Sequence, residues 1–177
     1  MKTRMGYVSN SSSSSFILND SHGLDQLTRG DIEDALKSRM KCYDEYVREH
    51  REAYDRGEYE GFEEAVMMAP FIVYDLSDRE QRSQAMLDWG EVVDYFDGGV
   101  ELMELHNAKF LIHFDDNFVY NVEGMYDDGE QWESDSGTQE RFTEILAKSL
   151  VEMGRLPLDY DWRGLRNSIL GSCMHEG

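Results

Sequence analysis

Between residues 100 and 122 the side chains alternate in character with a period of two, and few folds accept that pattern. Met103 and Leu105 alternate with Glu104 and His106, while Phe110, Ile112 and Phe114 alternate with Leu111 and His113. Two is the period of an extended strand, whose successive side chains point to opposite faces. A two-residue loop at Asn107 and Ala108 pairs His106 with Lys109 and Glu104 with Leu111. It also gathers Met103, Leu105, Phe110, Ile112 and Phe114 on one face. Next, a three-residue loop of Asp115, Asp116 and Asn117 pairs Phe114 with Phe118, Ile112 with Tyr120 and Phe110 with Val122. A loop one residue shorter would turn Phe118, Tyr120 and Val122 to the polar face. Asn117 suits the left-handed conformation such a loop requires. The expectation is an antiparallel meander over 100–122 with one apolar face and with His113 on the outer one.

That apolar face needs helices to cover it, and the rest of the chain supplies them. Ile32, Ala35, Leu36, Met40, Tyr43, Tyr46, Val47 and Tyr54 recur at helical spacing, with Asp31 as the cap and Gly57 as the stop. The tyrosines on that stripe read as core or rim packing rather than as a ligand box. A short helical piece is expected from Phe62 to Ala69, ending before Pro70, and Phe71 to Tyr74 reads as a buried strand. Ser77 and Glu80 have capping-box spacing, which starts a helix at Asp78 that runs through Trp89 and stops by Gly98-Gly99. Phe142, Ile145, Leu146, Leu150 and Met153 mark a helix over 138–153, with Gly154 at its C-terminal cap. Trp162, Leu165, Ile169 and Leu170 continue at helical spacing. The expected class is α+β: an antiparallel sheet of three to four strands with helices packed on one face. With 177 residues, one domain over 19–177 is expected.

Charge narrows the function. The chain carries 37 acidic and 17 basic side chains, a net charge of −20. Nucleic-acid binding and attachment to anionic lipid both rely on clustered Lys and Arg, so direct contact with either is not expected. No apolar run approaches the length of a membrane span. No apolar stretch follows the basic start as in a signal peptide, and Cys42 and Cys173 form no short-spaced motif. A cytoplasmic location with free thiols is the expectation.

Residues 9–15 read Ser-Asn-Ser-Ser-Ser-Ser-Ser, with Tyr7 and Val8 before them and Phe16, Ile17 and Leu18 after. Taken alone the run is either a flexible arm or two short extended pieces joined by a polar loop, so 1–18 is set apart as an arm or hairpin. The segment from Gly6-Tyr7-Val8-Ser9-Asn10 through Phe16-Ile17 resembles a leader found on uncharacterised bacteriophage and prophage-type proteins. Those proteins begin with a basic tripeptide, a Gly-aromatic-Val step and a similar serine run ending in Phe. The match spans about residues 2–18 and implies a phage or prophage origin, with no catalytic residue and no fold carried over.

Thirteen acids lie between Glu91 and Asp135 against one base, Lys109. Such density destabilises a compact state by self-repulsion. It reads either as a solubilising face or as a surface complementary to a basic protein partner of host or phage origin. Asp115, Asp116, Asp127, Asp128, Glu130, Glu133 and Asp135 are the candidate partner-binding residues, expected to gather into one elongated ridge. Asp127 starts no EF-hand, because Gly129 falls at the third loop position rather than the sixth. His106 and His113 stand about 13 Å apart in the expected register, too far to share a metal ion. Cys173 to Glu176 hold ligand types at an expected mobile end. No metal, cofactor or catalytic residue is therefore assigned. The leading expectation is a non-enzymatic phage-type accessory protein that binds a basic surface, in its sharpest form an inhibitor imitating nucleic-acid charge. A structural or assembly component of a phage particle and a small hydrolase are the alternatives.

Overall fold

A computed structural model describes residues 12–40, 43–59, 69–93, 107–114 and 135–176. Four strands make one sheet: β1 (Ser12–Asn19), β2 (Phe71–Asp75), β3 (Ala108–Phe114) and β4 (Ile169–Glu176), in the order β2-β3-β1-β4. Every neighbouring pair is antiparallel. The described helices are α1 (Arg29–Lys37), α2 (Tyr43–Asp55), α3 (Arg79–Val93), α4 (Asp135–Glu152) and the single turn α5 (Trp162–Leu165). This is the α+β class expected from the sequence. No helix among the described residues is long and apolar enough to cross a membrane.

The faces of β3 follow the alternation. Phe110, Ile112 and Phe114 enter a core with Phe16 and Leu18 of β1 and Phe71 and Val73 of β2. Helices α1 and α4 cover it with Ile32, Ala35, Leu36, Phe142, Leu146 and Leu150. Phe16 stacks on Phe142 at 4.1 Å between centroids and meets Phe114 edge-on at 6.1 Å.

Three expectations are corrected. Helices lie on both faces of the sheet: α3 places Ala85 and Trp89 over Ile17, Tyr74, Ala108 and Leu111 on the second face. His113 takes the outer parity, as read, but that face is roofed and the residue is buried. The meander gives way to other partners, because β2 pairs with 110–114 along one edge of β3 and β1 with 108–114 along the other. Alternation assigns a strand's faces and leaves its neighbours open. Residues 101–106 and 115–122 lie outside the described residues.

The Ser-rich run is the other surprise. Ser12 to Ser15 belong to β1, an interior strand paired with β3 and β4, so a boundary at residue 18 falls inside a strand. The chain end is likewise ordered into the sheet. Trp162 to Ser168 make two short turns, and 169–176 then pair with 12–18 as β4 rather than continuing a helix or trailing free. The long helix expected from residue 31 is two helices. Thr28 is the true cap of α1, in a capping box with Asp31, and the Ser38 hydroxyl donates to the Ala35 carbonyl as the chain turns Met40 inward.

Asp78 caps α3 by accepting the Glu80 N–H, while Ser77 bonds back to Asp75. At the end of α4, Gly154 adopts φ 75°; its N–H reaches Val151 and that of Arg155 reaches Leu150, closing a Schellman motif as expected. The pieces at Phe62–Met68 and Gly98-Gly99 lie outside the described residues.

Candidate functional site

Of the seven predicted partner-binding acids, Asp115, Asp116, Asp127, Asp128, Glu130 and Glu133 lie outside the described residues, and Asp135 is the first residue of α4. The described chain leaves the sheet at Phe114 and resumes at Asp135. Phe114, the last described residue before the gap, is buried and meets Phe142 of α4 edge-on at 5.8 Å.

Two polar clusters escaped the sequence reading. The first lies on the second face of the sheet. Ser15 Oγ of β1 is hydrogen-bonded to His113 Nδ1 of β3, the residues being direct cross-strand partners. The His113 ring stacks on Trp89 at 4.0 Å between centroids and 22° between planes. Trp89 Nε1–H donates to the Tyr74 hydroxyl at 2.8 Å, and that hydroxyl donates to Asp88 Oδ2 at 2.7 Å. Gln84 donates to the other carboxylate oxygen at 2.7 Å. Burial, reinforced by the bond to the Asp88 carboxylate, pushes the Tyr74 hydroxyl well above its ordinary value and keeps it a proton donor.

A serine beside a histidine carries the atoms of nucleophilic catalysis, but Ser15 is only 1% exposed and sits inside a sheet. The cluster satisfies polar groups beneath α3. One signal for it was present: Phe110-Leu111-Ile112-His113-Phe114 is nearly continuous in apolar character, the mark of a strand buried on both faces.

The second cluster joins the exit of β1 to the entrance of β4. Asn19 Oδ1 accepts both the backbone N–H and the hydroxyl of Ser21. Ser21 Oγ lies 2.8 Å from His22 Nδ1 and 2.9 Å from Ser168 Oγ, and the last two atoms are 3.1 Å apart. His22 has φ 56° and Gly23 φ 85°, so two consecutive residues occupy the left-handed region. The Tyr160 hydroxyl donates to the His22 carbonyl, and burial pushes its pKa up to about 12. Ser168 is buried, while the His22 side chain is exposed. No sequence pattern announces this cluster, because Ser168 lies 147 positions from Ser21.

On α2, His50 stacks on Tyr46 at 3.7 Å and its Nδ1 bonds the Tyr46 carbonyl at 2.9 Å. Partial burial lowers its pKa, with Glu49 opposing. Among the described residues no three His, Cys, Asp or Glu side chains are grouped to hold a metal ion. Comparison of the chain with protein-family models, curated proteins and solved structures finds no match.

Proposed function

We propose that this chain is a non-enzymatic acidic accessory protein of phage type that binds a basic surface on a host or phage protein. In its sharpest form it is an inhibitor that occupies a groove built for nucleic acid. The observation that carries the reading is the run of thirteen acids from Glu91 to Asp135 against Lys109 alone, within a net charge of −20. Among the described cations, Arg29, Arg39, Arg48, Arg56, Lys148 and Arg155 are each engaged with a carboxylate.

A field of this sign steers a basic partner and accelerates encounter by roughly 10- to 1,000-fold at low salt. The test is affinity capture from infected cells, followed by binding kinetics across a salt series. Replacing Asp127, Asp128, Glu130 and Glu133 by Asn or Gln should slow association about tenfold at low salt and flatten the salt dependence. Stability should be equal or higher, since self-repulsion falls. An association rate unchanged in the quadruple variant refutes the reading. Co-sedimentation of the chain with assembled particles also overturns it, in favour of a structural role.

A further inference from the structure

We draw no further inference here: the strongest candidate, the outer edge of β4 (Ile169–Glu176), which pairs with β1 on its inner side and with no other described strand, carries nothing because nothing in the structure shows what covers it.

Discussion

Phe16→Ala is the most informative single perturbation of the fold, because Phe16 directly follows the serine run and decides what that run is. If 1–18 were an arm, truncating Phe16 would cost a few tenths of a kcal/mol. In the structure Phe16 is fully buried in an interior strand, stacked on Phe142 and edge-on to Phe114. Removing a buried phenyl ring costs about 3–5 kcal/mol, combining lost transfer energy with the cavity left behind. The two aromatic contacts each add about 0.5–1.5 kcal/mol beyond area, which places this site near the upper end. Relaxation is limited, since the ring lies between strands β3 and β4 on its own sheet and α4 above it. Against a total stability of about 5–15 kcal/mol for a domain, the loss is large enough to shift a urea midpoint severely. The assay is equilibrium urea unfolding followed by tryptophan fluorescence, with Leu158→Ala as the control because Leu158 is 93% exposed. The control should change stability by less than about 0.5 kcal/mol. A loss below about 1 kcal/mol for Phe16→Ala, with an unchanged denaturant slope, would refute the interior placement of β1.

Tyr74→Phe should cost about 1–3 kcal/mol in the same assay, because it leaves the Trp89 indole N–H without its acceptor and the buried Asp88 carboxylate with one donor fewer. A neutral result would mean the hydroxyl makes neither bond. For His50, burial lowers the folded-state pKa, so the unfolded chain binds a proton more readily than the folded one. That contribution is complete above the ordinary imidazole value near 6.5 and is lost as pH falls from there through the lowered folded value. His50→Gln should therefore flatten the stability profile on the acid side of about pH 6.5, and an unchanged profile would place the titration elsewhere.

The elements with strong local signals were legible from the residues. Phe71 to Tyr74 is a strand, 135–152 a helix ended by Gly154, and Phe110, Ile112 and Phe114 share a buried face, because propensity, capping and side-chain period act within a few residues of one another. The same period was silent about partners. β3 lies between the first described strand and β2, and the last strand closes the far edge, so the sheet is assembled by pairings across nearly the whole chain.

Non-local pairing also explains the two missed clusters. Ser15 meets His113 and Ser21 meets Ser168 only because β1 is inserted between β3 and β4. In sequence each is an unremarkable serine or histidine. The Ser-rich run illustrates the difference most sharply. Its composition predicts a solvated loop, since serine has neither the apolar surface nor the β-branching that favours strands. It becomes a strand because Phe16, Ile17 and Leu18 are buried on the two faces of the sheet and carry the serines before them into the same ladder, where β4 pairs with Ser12 to Ser15 and β3 with Ser14 and Ser15. Charge and period reside in the sequence itself; which backbone accepts a given strand is settled only when distant segments compete for the same edge.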